Sequence, residues 1–360
     1  MIKDIQTLLS RLSLAFGPTG CEEPVADIIR EEGGRLCQAV TTDRSGNVIF
    51  SYDPSQADEH TQTVMIAARM DEVGFMIHEI DDEGYLRFSV LGDVDPRVLC
   101  GRNVRVGNEN RQIQGVIASK AIHHQTAEER AKITEPENMY IDIGATSRED
   151  AEKKVSVGDF GTFDGLFDSF GADQGFIRAK ALDGRVGCAV ALEVMKRLND
   201  ETLISPHRLR FCFTVRGETG PSGAGLAAAT VCPDSAIVLD SAIAADLPEI
   251  ADAFHSTELA AGCAVPFADK KTVYDKQLTE LTLAKAKERG IAVQIKRGLC
   301  GGNGAADIQK RGRGAKVLCL SVPIRYSRTA STVIARSDVD AAVQMLSALV
   351  ETPFPNHDSL

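Results

Sequence analysis

No run in this chain approaches the ~20 consecutive apolar residues of a membrane-spanning helix; the most apolar stretches, AIVLDSAIAA and KVLCLSVPI, are far shorter. No basic-then-apolar leader opens the sequence either, so we expect a cytoplasmic protein with no membrane partner. The nine cysteines are scattered from Cys21 to Cys319 without a C-x-x-C pair, which argues against a disulfide framework and a zinc ribbon and for buried reduced thiols. Cys188 and Cys212, among apolar neighbours, read as core residues. Positive charge is also short. A formal net charge of −11 disfavours nucleic acid as a partner, and the local run KRGRG at 310–314 reads as a solvated turn. The G-x-S-x-G elbow, the P-loop and the H-E-x-x-H helix are missing, which removes three common catalytic frames.

What is present is ordinary globular composition, 43% hydrophobic and 25% charged over 360 residues, enough chain for two domains. Helical spacing in IQTLLSRLSLAF stops at Gly17-Pro18, and Val25, Ile28 and Ile29 mark a second helix between Glu22 and Leu36. AVTTDRSGNVIFSYD, broken at Ser45-Gly46, reads as a hairpin, and TVMIAARM as a buried strand. Between about 73 and 163 the pattern changes to short strands with turn signals, VGFMIHEI, YLRFSVLG, NVRVG, RQIQGVIASK and MYIDIGA, with one helical patch at REDAEKK; this predicts a small β-barrel or sandwich. Beyond Gly175 strand and helix alternate again. FIRAKAL precedes VGCAVALEVMKRL, FCFTV precedes GAGLAAATV, and AIVLD, KQLTELTLAKAKERG, IAVQI, AKVLCLSVP and DVDAAVQMLSALVE follow, predicting a mostly parallel sheet covered by helices. The expected organisation is an α/β domain, 1–72 and 164–360, interrupted by a β domain at 73–163.

Four separated segments carry the chemistry: AARMDEVGFM around Arg69, KALDGRVGCAV around Asp183, FTVRGETGPSGA around Glu218 and VPIRYSRTA around Arg328. With GVIASK before His123, IDIGA at 141–145 and CGGNGAADI at 300–308, they occur in the order found in one family. The chain resembles the tetrahedral or glutamyl aminopeptidases, also called FrvX-like proteins and formerly endoglucanases, over nearly its whole length. The resemblance implies the zinc-exopeptidase fold, a mixed sheet flanked by helices with an inserted small β-barrel that serves dimerisation. It also implies homodimers or dodecamers, and peptides as ligands.

Members of that family hydrolyse peptides with two divalent ions that activate a bridging water, while a carboxylate accepts the proton. Matched by position, Asp183 is the bridging carboxylate, Asp240 and Glu218 are ligands of the two ions, and Asp71 orients the first ligand histidine. Arg69 and Arg328 stand where the family has its two histidines, and Gly217 where it has the general base. In the glycine-rich wall, Asn303-Gly304 replaces the usual Thr-Asp. A guanidinium stays protonated and offers only donors, so it cannot ligate a metal. Asp183, Glu218 and Asp240 brought together without ions would repel one another, and Arg69 and Arg328 are the natural groups to neutralise them. Arg69 and Asp71, two apart on a strand, share a face and are expected to pair. His78, His123, His124 and His255 are the remaining nitrogen donors to consider, although a lone histidine in a loop or barrel is more often a surface or packed residue.

Three readings stay open at this point. The first is a catalytically silent pseudo-aminopeptidase without cofactor, acting as a structural, regulatory or peptide-binding subunit, conceivably beside an active paralogue. The second is an active aminopeptidase using one ion of zinc, cobalt or manganese, or shifted ligands. The third is an anion-binding protein that reuses the cleft. Replacement of both histidines together with the base favours the first.

Overall fold

The computed structural model describes residues 4–220, 222–248, 250–251 and 256–355. An eight-stranded mixed sheet forms the larger body. Its order is Ala39–Thr42, Val48–Tyr52, Arg208–Thr214, Thr63–Arg69, Ser235–Ile243, Lys316–Ile324, Cys263–Pro266 and Val293–Lys296. The four central strands Arg208–Thr214, Thr63–Arg69, Ser235–Ile243 and Lys316–Ile324 run parallel to one another. They read as near-continuous apolar runs because both faces are covered. From Thr63–Arg69, Val64, Ile66 and Ala68 point to one core with the helices Ile5–Leu14, Glu23–Gly33, Leu182–Asn199 and Arg336–Val350. Met65 and Ala67 point to the other, beneath Gly223–Val231 and Ala305–Ile308.

Six strands between Gly74 and Phe163 close into a barrel, in the order Gly74–Ile80, Leu86–Leu91, Met139–Asp142, Gln112–Ser119, Asn103–Gly107 and Phe160–Phe163. Its core is aromatic: Phe75 meets Phe88 and Phe163 edge to face at centroid distances of 5.2 and 5.4 Å. The strand that closes it, Phe160–Phe163, has only four residues and lies at the end of the segment, with no alternation in its residues to mark it.

Two expectations are corrected in the larger body. FIRAKAL does not join the main sheet; Phe176–Ala179 pairs instead with Asp168–Phe170 and Thr332–Ala335 in a separate three-stranded sheet. Cys263–Pro266, read as loop, is a fully buried four-residue strand. At the junction with the barrel, the fully buried Arg185 guanidinium donates to the carbonyls of Leu12, Gly17 and Met70 and to Glu72, which also holds the buried Lys180. No helix among the described residues is long and apolar enough to cross a membrane.

Candidate functional site

The parallel strands deliver their carboxyl ends to one place, as open α/β sheets do. Arg69 is the last residue of its strand, opposite Thr214 in register, and Asp240 lies in the next strand opposite Ser321. Glu218 follows the strand Arg208–Thr214, and Arg328 follows Lys316–Ile324. Asp183 stands at the start of the long helix Leu182–Asn199, where Asp183 (φ −61°, ψ 112°) and Gly184 (φ 87°) leave the helical conformation. A side chain at 184 is excluded twice, by that positive φ and because its Cβ would lie 2.7 Å from the Cγ of Arg69.

Arg69 is the centre of the site. Its Nη2 donates to Asp183 Oδ1 and its Nη1 to Glu218 Oε1, both at 2.5 Å, and its Nε to Asp240 Oδ1 at 3.4 Å. The guanidinium therefore faces all three carboxylates that the sequence comparison placed in the cleft. Asp71 pairs with Arg69 as expected, but loosely: Arg69 Nη1 is 3.8 Å from its Oδ1, an ion pair without a hydrogen bond. Its Oδ2 accepts from the Glu218 backbone N–H at 2.8 Å, while Oδ1 is buried without a hydrogen-bond partner among the described residues. Asp71 Oδ1 is thus a buried acceptor left over beside position 69.

Arg328 sits further out, 39% exposed by side chain. It reaches Glu218 Oε2 at 3.4 Å and makes its shorter contact, 2.8 Å, to Asp93 Oδ2 in the segment that follows the second barrel strand. Its φ of 61° is a left-handed conformation uncommon for a side-chain-bearing residue. Gly217 lies directly over Arg69. A Cβ there would be 3.0 Å from Asp71 Oδ1 and 3.1 Å from Arg69 Cδ, so any side chain at 217 would crowd the arginine's stem.

Burial presses the Asp183 carboxyl upward, but the Arg69 guanidinium and the hydroxyls of Ser241 and Ser327, donating at 2.6 Å to its two oxygens, hold its pKa below the usual value. Asp240 has the weakest share of Arg69. Burial, then repulsion from Asp183 and Glu218, pushes it up to about 6. Burial, then repulsion from Asp183 and Asp71, raises Glu218 against the pull of Arg69 and Arg328. For Arg69, burial alone would favour the neutral form, but Glu218, Asp183, Asp240 and Asp71 outweigh it and drive its pKa well above the ordinary value.

Such a donor set does not fit a pair of divalent ions. A permanent cation lies against each carboxylate that would bind them, and among the described residues no group of three or more His, Cys, Asp or Glu side chains is arranged to hold a metal. Nor do the other histidines help. His78 bonds Ser89 on the barrel, His123 and His124 lie in an exposed turn, and His255 lies outside the described residues.

Ser241, Ser327 and Asp93 were not singled out by the sequence. The two serines adjoin Asp240 and Arg328, a signal that could have found them, but Asp93 is 235 residues from its partner. The site opens into a cavity of about 930 Å³, walled on the far side by Tyr274, Asn303 and the lysines Lys270, Lys271 and Lys296. Asn303 donates to Tyr274 Oη (3.0 Å) and Cys319 Sγ (3.2 Å), which fixes that wall. Cys188, expected in the core, is buried there and its thiol faces the Arg69 carbonyl at 3.2 Å.

Comparison with known proteins places these features in context. The sequence pattern of the M42 glutamyl aminopeptidases matches residues 46–345. A putative aminopeptidase of Acetivibrio thermocellus is 32% identical over 346 residues, covering 96% of this chain and 98% of its own. Among solved structures, the TET aminopeptidase of a marine sediment archaeon of the Thaumarchaeota superposes with a TM-score of 0.92 at 31% identity, 96% of each chain being covered. The TET1 peptidase of Pyrococcus horikoshii, which can assemble into a tetrahedron or a large octahedral shell, gives 0.85 at 29% identity over 97% of this chain and 100% of its own.

Proposed function

Because the chain belongs to the M42 glutamyl aminopeptidase family, we propose that it is a catalytically silent member, a pseudo-aminopeptidase whose cleft binds peptides or peptide-like ligands without cleaving them. One observation carries this reading: the Arg69 guanidinium lies among Asp183, Glu218 and Asp240 at distances of 2.5, 2.5 and 3.4 Å. A divalent ion would have to displace a cation that is already bonded to its ligands. With Gly217 in place of a carboxylate, the position where the family has its general base supplies no proton acceptor. Loss of a general base alone typically costs about 10²–10⁴ in rate.

In this reading Arg69 substitutes for the ions by neutralising the cluster, and Arg328 ties Glu218 to Asp93 at the barrel side. The inserted barrel at 73–163 is a dimerisation unit, and the chain forms at least a homodimer in the cytoplasm, with larger shells or co-assembly with an active paralogue as extensions of the same surface. The assembly described for the Pyrococcus horikoshii relative supports an oligomer.

The test is metal content by elemental analysis, together with hydrolysis of an aminoacyl anilide in added zinc, cobalt or manganese. The parent chain is expected to be inactive and to hold no stoichiometric metal, and the combined variant Arg69→His, Arg328→His, Gly217→Glu to gain both properties. Robust hydrolysis by the parent, free of contaminating peptidase, overturns the proposal and makes the metal-dependent reading the one to follow.

A further inference from the structure

The cavity above Arg69 is electrically two-sided. On the strand-end side its two cations and four carboxylates are matched to one another: Arg69 is paired with Asp183, Glu218 and Asp240, and Arg328 with Asp93 and Glu218. Both arginines are thus already engaged by carboxylates on this side. The opposite wall differs. Lys270, Lys271 and Lys296 all line the cavity, and among the described residues no carboxylate stands within ion-pair distance of any of them.

These three lysines are gathered by the glycine-rich loop 298–304. The Lys270 N–H donates to the Gly301 carbonyl at 3.1 Å, and Lys296 Nζ donates to the Cys300 carbonyl at 2.7 Å. The stem of Lys271 lies across Gly302, where a Cβ would be 3.0 Å from its Cγ and Cδ, and Lys296 Nζ is 3.7 Å from the Cβ position of Gly301. The missing side chains at 301 and 302 thus let two ammonium stems lie against the loop, both facing one concave space. Three lysines lining one cavity without a carboxylate partner among the described residues leave a net positive charge there, which favours an incoming anion.

We propose that Lys270, Lys271 and Lys296 form an anion subsite that takes a carboxylate of a small ligand lying in the cleft. It rests on the silent-cleft reading in one respect, that the ligand is held rather than cleaved. The same chemistry is offered by the carboxyl terminus of a short peptide and by a free dicarboxylate.

Calorimetric titration of the parent chain with trialanine, trialanine amide and glutarate separates these sources, using Lys270→Gln/Lys271→Gln, whose two positions are exposed, and Lys296→Gln as variants. Loss of hydrogen bonds to a charged group corresponds to roughly tenfold to hundredfold weaker binding. Trialanine binding that weakens by that factor in the amide and in the variants supports the subsite with a peptide ligand. Lysine-dependent binding of glutarate alone supports the subsite and overturns the peptide reading. Equal binding of trialanine and its amide, unchanged in the variants, overturns the subsite and leaves peptide binding standing. No binding of any probe overturns both.

Discussion

Replacing Arg69 by methionine removes the charge at the centre of the site while keeping an unbranched stem of similar volume. Asp183 and Glu218, each bonded to the guanidinium at 2.5 Å, and Asp240 at 3.4 Å would then face one another with only Arg328 nearby. Breaking a buried ion pair from one side costs about 3–5 kcal/mol, because the remaining charge stays desolvated. The stem contributes little to that figure, since a near-isosteric apolar swap is tolerated. The sign of the pH dependence follows from linkage. Without the cation the folded-state pKa values of these carboxylates rise above their unfolded values. The stability they contribute is then present at low pH and lost as pH rises through the raised values. Urea unfolding of parent and Arg69→Met at about pH 8 and about pH 4.5 should show the full deficit at the higher pH and a much smaller one at the lower. Equal midpoints at both values, or a deficit that does not change with pH, would refute the view that Arg69 acts as a neutralising cation.

Asp240 gives the opposite result. Its pKa is raised from 3.8 to about 6, so its charged form is disfavoured by the fold, and stability is lost as pH rises through 6; Asp240→Asn should raise the unfolding free energy above that pH by at most roughly 3 kcal/mol and change it little near pH 4. Gly217→Ala should destabilise the parent by about 1–3 kcal/mol through crowding of Arg69 and Asp71, and by less in an Arg69→Ala background, a coupling measurable in a double-mutant cycle. Light scattering at micromolar concentration should return at least a dimer, and a monomer would count against the barrel as a dimerisation unit.

The parts of the site that were legible in the sequence are those governed by local identity and charge balance. An arginine in place of a histidine beside a strand end, with three carboxylates assigned to the same cleft, has few places to go, and Arg69 goes there. Arg328 was read the same way, yet its shorter contact is to Asp93, because its loop emerges nearer the barrel than the strand ends and nothing local encodes that. The lysine wall stayed hidden for a related reason. Lys270 and Lys271 lie on one loop and Lys296 at the end of a strand, and only the packing of residues 300–302 brings them together. In the fold, long apolar or periodic segments were read correctly, whereas Cys263–Pro266 and Phe160–Phe163, four residues each, depend on partners distant in sequence.

The close approach of residue 217 to the Arg69 stem makes the two positions interdependent. A first side-chain carbon at 217 would lie only 3.1 Å from Arg69 Cδ, so any residue larger than glycine there has to share its volume with the arginine. Side chains at 69 and 217 are therefore best varied as a pair: a shorter residue at 69 makes room for a longer one at 217.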